Sequence, residues 1–128
     1  MDNIVDYFDE LVGTIRASEW VTLEDLFFRQ IDEREAYIKG VLYLHGGYEL
    51  HVAEYVCVRN QGIEREKHRY QLLDAYDHFM ARWDNAPHHQ DISTFPHHRH
   101  KPHDEIIASS PMSIPRVLQM LEQILKEP

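Results

Sequence analysis

Apolar residues near the start of the chain recur at helical spacing. Ile4, Phe8, Leu11, Val12 and Ile15 share one side of a helix, with Asp6, Asp9 and Glu10 toward its start and Asp2 or Asn3 placed as its cap. After the polar stretch Arg16 to Glu19, the segment 20–31 reads as a strand. From 35 to 59 two runs rich in Tyr, Val, Ile and Leu flank Gly46-Gly47, a dipeptide suited to the positive φ angles of a two-residue hairpin turn. With those glycines as the turn, His45 faces Tyr48, Val41 faces Val52, Lys39 faces Glu54 and Tyr37 faces Val56. One face is then apolar except for Lys39 and Glu54, which read as a cross-strand ion pair near a sheet edge rather than as a catalytic pair.

Asn60-Gln61-Gly62 marks a loop, and a second hairpin follows over 67–84 with Tyr76-Asp77 as its turn. That register pairs Leu73 with Met80, Gln71 with Arg82 and Arg69 with Asp84, and on the other face Tyr70 with Trp83 and Leu72 with Ala81. The aromatic faces of both hairpins go to the core. Arg69, Gln71, Arg82 and Asp84 are left as the floor of a site that opens toward the segment after Asp84. A proline-bounded loop over 86–103 leads to a short strand at 105–108. Ser113 then caps a final helix, with Pro115 in its first turn and Val117, Leu118, Leu121, Ile124 and Leu125 as its apolar stripe. These elements predict one α+β domain over 1–128, a twisted antiparallel sheet of about four to six strands packed with an N-terminal and a C-terminal helix.

A chain of 128 residues buries a core without staples, and its lone Cys57 has no internal disulfide partner. The acidic start does not resemble a signal peptide, and no apolar run approaches the roughly 20 residues that span a bilayer. The expectation is a cytoplasmic protein with no membrane partner. The formal net charge of −9 argues against gripping nucleic acid by bulk charge. The charge is uneven, however. Asp and Glu crowd the first 35 residues, whereas Arg59, Arg65, Lys67, Arg69, Arg82, Arg99 and Lys101 accompany eight of the ten histidines between 59 and 103. One face can still attract phosphate, and protonating all ten histidines would move the formal charge to +1.

Six of the ten histidines lie within the sixteen residues 88–103. Three readings fit them. His98 and His100, with His88, His89 or His97, serve as general acid and base on a ribose hydroxyl and its leaving oxygen, while Arg82, Arg69 or Arg99 neutralises charge on phosphate. Alternatively, a His-x-His pair with Asp84 or Asp91 holds zinc or another divalent metal. In the third, the loop is a proline-stiffened polar segment whose rings bond backbone groups or water. An extended 97–100 segment puts His98 and His100 on one side and His97 and Arg99 on the other, which suits catalysis and metal binding alike.

Arg82-Trp83-Asp84-Asn85-Ala86-Pro87-His88-His89 and Thr94-Phe95-Pro96-His97-His98-Arg99-His100 resemble the signature of the TumE-like toxin family, small prokaryotic toxins of toxin–antitoxin pairs. The similarity runs along the whole chain, through Tyr37-Ile38-Lys39-Gly40, the segment 50–56 and Arg69-Tyr70-Gln71. Distant members keep an aromatic-Asp-Asn motif and a later His-(Arg or Lys)-His, which carries over to Trp83, Asp84, Asn85, His98, Arg99 and His100. His88, His89 and His97 belong to the narrower branch. The turn Asp74-Ala75-Tyr76-Asp77-His78 departs from the glycine-containing turn of many members.

The resemblance implies a growth-inhibiting toxin neutralised by a small antitoxin protein. RNA cleavage follows by analogy with other small toxins, with Arg69, Tyr70 and Gln71 as substrate-binding residues. No cofactor is expected in this reading, zinc or another divalent metal being the alternative. A non-catalytic partner-binding or regulatory protein and a metal-dependent hydrolase are the competing functions, and a homodimer is open.

Overall fold

The computed structural model describes residues 3–60, 62–87 and 92–127. Helix α1 (Ile4–Ala17) starts where the Asn3 side chain accepts the Asp6 backbone N–H at 2.8 Å. It is followed by strands β1 (Val21–Gln30), β2 (Glu35–Leu44), β3 (Glu49–Arg59), β4 (Gly62–Leu73), β5 (Phe79–Asp84), β6 (His98–His100) and β7 (Ile106–Ala108). Helix α2 (Ile114–Leu125) closes the order, capped by Ser113 with Pro115 in its first turn. Among the described residues the seven strands form one sheet in chain order, each antiparallel to the next. The count exceeds four to six because β6 and β7, at three residues each, are too short for alternation to reveal both.

Both helices cover the same face of this α+β sheet. Leu11 and Ile15 from α1 and Val117, Leu118, Leu121 and Ile124 from α2 join Ile38, Leu42, Leu50, Val52, Tyr70, Leu72 and Trp83 in one buried cluster. Among the described residues the opposite face carries no helix. At Gly40 the β1 backbone comes so close that a Cβ would stand 2.1 Å from the Asp25 carbonyl oxygen, so only glycine fits.

The first hairpin departs from the two-residue turn. His45, Gly46 and Gly47 form a three-residue helical turn with both glycines at positive φ, and the Leu44 N–H donates to the Tyr48 carbonyl at 2.8 Å. One extra turn residue moves every pair by one and exchanges the faces of β2. Ile38 now pairs with Glu54, Lys39 with Ala53, Tyr37 with Tyr55 and Val41 with His51. The Lys39/Glu54 ion pair therefore does not form, and Tyr37 lies 47% exposed on the open face. The second hairpin keeps the expected register from Arg69–Asp84 to Leu72–Ala81, then shifts so that Leu73 meets Phe79 rather than Met80. Its turn runs over 74–78, where the Asp74 carboxylate accepts the N–H groups of Tyr76 and His78 at 2.8 and 2.9 Å.

Glu54 is buried on the helix-covered face. It accepts the hydroxyls of Tyr7 and Tyr70, each at 2.5 Å. Burial raises its pKa, against the two hydroxyls and Arg65, which lower it. Arg65 reaches this face because Glu66 is an extra residue in β4 opposite Tyr55/Val56, a bulge that turns Arg65 inward to donate to the Tyr70 hydroxyl at 3.0 Å and the Met112 carbonyl at 2.5 Å. Tyr7→Phe and Tyr70→Phe should each lose about 1–2 kcal/mol in urea unfolding. Glu54→Ala, which leaves both hydroxyls and Arg65 without their carboxylate, should lose about 3 kcal/mol or more.

His68 stacks between Tyr70, at 5.1 Å between ring centres, and His97, at 5.8 Å. Burial, reinforced by the Arg65 and His97 charges, lowers its pKa to about 4. An unfolded histidine takes its proton near pH 6.5, so from about 6.5 down to about 4 the unfolded chain binds more protons at this position and stability falls with pH. His97 is lowered in the same sense, burial first. Between pH 7 and pH 5 the melting temperature of the wild type should fall further than that of His68→Phe, which keeps the stack without the titrating ring.

Candidate active site

Strand alternation assembles the site. Asp84 ends β5 and pairs with His98, while Arg82, two residues back, pairs with His100. All four side chains leave the sheet on the open face. Asp84 Oδ1 lies 2.9 Å from His98 Nε2, and Oδ2 lies 3.4 Å from His100 Nε2 and 3.2 Å from Arg82 Nε. Arg82 Nη2 stands 3.0 Å from His100 Nε2, and the two histidine Nε2 atoms are 3.0 Å apart. The Ala86 N–H donates to Asp84 Oδ1 at 3.1 Å.

Depth assigns the members different tasks. The His98 side chain is 1% exposed, that of His100 15% and that of Arg82 29%. His98 Nδ1 faces the Pro96 carbonyl at 2.9 Å, and because a carbonyl only accepts, this nitrogen carries a hydrogen. His98 Nε2 is the atom that faces Asp84 and His100. His100 and Arg82 are the members a bound molecule can touch.

The same atoms raise the question of a metal. One carboxylate oxygen and one nitrogen from each of His98 and His100 lie within 4.8 Å of one another. A carbonyl bond to the far nitrogen of His98 is the usual outer support of a metal-bound imidazole. The donor set fits a divalent ion of the imidazole-loving kind. Arg82 opposes it, since its guanidinium already contacts two of the three groups.

The other anticipated residues divide by face. Arg69 and Gln71 stand on the open face beside the cluster, linked at 3.1 Å. Tyr70 is fully buried with its hydroxyl on Glu54, as its pairing with Trp83 on the core face expects, and that burial keeps it from the substrate-binding place also expected of it. Arg99 also turns away from its neighbours His98 and His100. It lies 5.2 Å over the Trp83 ring and grips Glu127 at 2.6 and 3.1 Å, which lowers the Glu127 pKa and ties β6 to the end of α2. His97 belongs to the His68 stack. Asn85 clamps the β4 bulge, accepting the His68 N–H at 3.0 Å and donating to the Glu66 carbonyl at 2.9 Å. His88, His89 and Asp91 lie outside the described residues.

A cleft of about 800 Å³ runs over the open face, and Arg82 and Asp84 form part of its wall. A smaller depression of about 240 Å³ holds His100 and shares Arg82 with it. Tyr37, Tyr55, Lys67 and Phe95 also line the cleft, and the sequence reading had named none of them for a site. Taking His45-Gly46-Gly47 as the turn would have brought Tyr37 onto the face that Tyr55 already occupies.

No curated protein and no solved structure matches the chain. No described helix is long and apolar enough to cross a membrane. A family model described as Toxin TumE matches residues 11–127, which include all seven strands, the Arg82–Asp84–His98–His100 cluster and α2. The chain belongs to the Toxin TumE family.

Proposed function

We propose that the chain is the toxin of a toxin–antitoxin pair, restrained in the cytoplasm by a small antitoxin protein, and that it cleaves RNA by acid–base chemistry at Arg82, Asp84, His98 and His100. The family supports the toxin. The observation that carries the chemistry is Arg82, whose guanidinium stands 3.0 Å from His100 Nε2 and 3.2 Å from Asp84. It puts a fixed positive charge beside the more accessible of the two imidazoles, where a phosphodiester gains charge as it reacts.

The step follows from the arrangement. His100 Nε2 accepts the proton of a ribose 2′-hydroxyl, and the freed oxygen attacks the adjacent phosphorus. The bond from phosphorus to the 5′ oxygen breaks, and the histidine pair returns a proton to that oxygen, leaving a 2′,3′-cyclic phosphate and a 5′-hydroxyl. Asp84 steadies the positive charge that the pair acquires, while Arg82 faces the phosphate. Buried His98 acts through Asp84 and His100 and is a positioning residue.

Convergence of Asp84, His98 and His100 favours a second reading, a divalent metal that activates water on the same phosphate. The two readings separate in one set of preparations. Under acid–base chemistry, His100→Ala cuts RNA cleavage about 10²-fold or more with little change in melting temperature, and the wild type carries no stoichiometric metal. His98→Ala loses stability as well, because it removes a buried partner of Asp84. Stoichiometric zinc in the wild type that disappears in both variants would establish the metal reading instead. For the partner, coexpression with the adjacent small gene should yield a copurifying complex and restore growth; a toxic chain that no neighbouring product neutralises would remove the antitoxin from this account.

A further inference from the structure

The β2–β6 register lays three rows of side chains across the open face. Tyr37, Tyr55 and Lys67 form the first, Lys39, Ala53, Arg69, Asp84 and His98 the second, and Val41, His51, Gln71, Arg82 and His100 the third. The first row is a pair of tyrosine rings 5.1 Å apart with a lysine beside them, and Phe95, 42% exposed, lines the same cleft. Ala53 offers no bulk in the middle of the second row. The carboxylates nearest the cleft are engaged: Asp84 with Arg82, Glu66 with Arg59 at 2.7 Å, and Glu35 with the Tyr55 hydroxyl. Among the described residues neither Lys67 nor Arg69 forms an ion pair with a carboxylate, and both are exposed.

We infer that this cleft binds single-stranded RNA, its bases stacking on Tyr37, Tyr55 and Phe95 and its phosphates meeting Lys67 and Arg69 before the strand passes over Arg82 to His100. Exposed aromatic faces interleaved with uncompensated cations are what an unpaired strand offers partners for, base by base and phosphate by phosphate. A duplex keeps its bases stacked inside and cannot use the tyrosines. An acidic peptide would meet the cations and leave the rings idle. Arg82 is common to the large cleft and to the depression that holds His100, which places the reacting phosphate at the boundary between them. The inference rests on the RNA reading of the cluster and specifies the form of RNA it takes.

Binding is measured by fluorescence anisotropy with His100→Ala protein, so that no cleavage is needed, using a labelled unstructured oligoribonucleotide, the same strand in a duplex, and labelled polyglutamate. The single strand should bind best. Tyr37→Ala and Tyr55→Ala should each weaken it about 5–100-fold, the range of one lost stacked base, while Tyr37→Trp retains it. Lys67→Ala and Arg69→Ala should each reduce the slope of log affinity against log salt by about 0.7. Duplex binding equal to that of the single strand, indifference to the tyrosine changes, or binding of polyglutamate in place of RNA would overturn the inference. Single-strand binding with these dependences in a wild type that cleaves no RNA would sustain the cleft and remove the ribonuclease. Cleavage by the wild type that ignores Tyr37, Tyr55, Lys67 and Arg69 would do the reverse.

Discussion

The site depends on how Asp84 is held. Its side chain is only 10% exposed, and a carboxylate that deep is stable only when its charge is answered by donors. Arg82 comes from its own strand, the Ala86 N–H from the chain just beyond, and His98 and His100 from β6. Because three of these are side chains on one sheet face, satisfying Asp84 also fixes the spacing of two imidazoles and a guanidinium. β6 has only three residues with which to hold the edge of β5, so the Asp84–His98 contact and the Arg99–Glu127 grip on the other face fasten it from both sides. Site and strand are stabilised together.

A second buried carboxylate solves the same problem on the opposite face with different partners. Glu54 is answered by two tyrosine hydroxyls and nearby Arg65 and is almost wholly shielded from solvent. Such a network ties α1, β3, β4 and the approach to α2 into one body. The bulge at Glu66 serves both faces at once. It turns Arg65 inward to the tyrosines while Lys67 and Arg69 stay outside, and Asn85, directly after β5, holds the bulge in place.

These relations were legible in the sequence wherever local pattern and long-range pairing agree. The second hairpin was readable because Arg69, Gln71, Arg82 and Asp84 alternate with Tyr70, Leu72, Ala81 and Trp83, so only one register separates polar from apolar. His98 and His100 could be placed on one side from their spacing alone. In the first hairpin both faces of β2 are apolar enough to be core, and the turn length alone decides between them. Taking two glycines as the whole turn turned Tyr37 inward, invented a Lys39/Glu54 pair and hid both Glu54's network and the aromatic end of the cleft. The β4 bulge leaves no periodic trace, since one inserted residue between charged neighbours looks like ordinary surface.

Net acidity is compatible with the proposed binding of RNA once distance is considered. A charge acts over a Debye length of roughly 8–10 Å at physiological salt, so the potential in a cleft reflects its own walls more than the formal −9. The acidic groups Asp6, Asp9 and Glu10 are exposed on α1, which covers the other face of the sheet. At the cleft the nearest carboxylates are already paired. Such a molecule gains little from long-range steering and is repelled by nucleic acid at large. In the proposed complex, recognition would then fall to contacts made only after the strand has entered, with stacking on tyrosine rings contributing more than salt-sensitive attraction. Under that proposal net acidity would act as a filter, keeping duplex and bulk polyanions off the surface while leaving one short track where unpaired bases find aromatic faces.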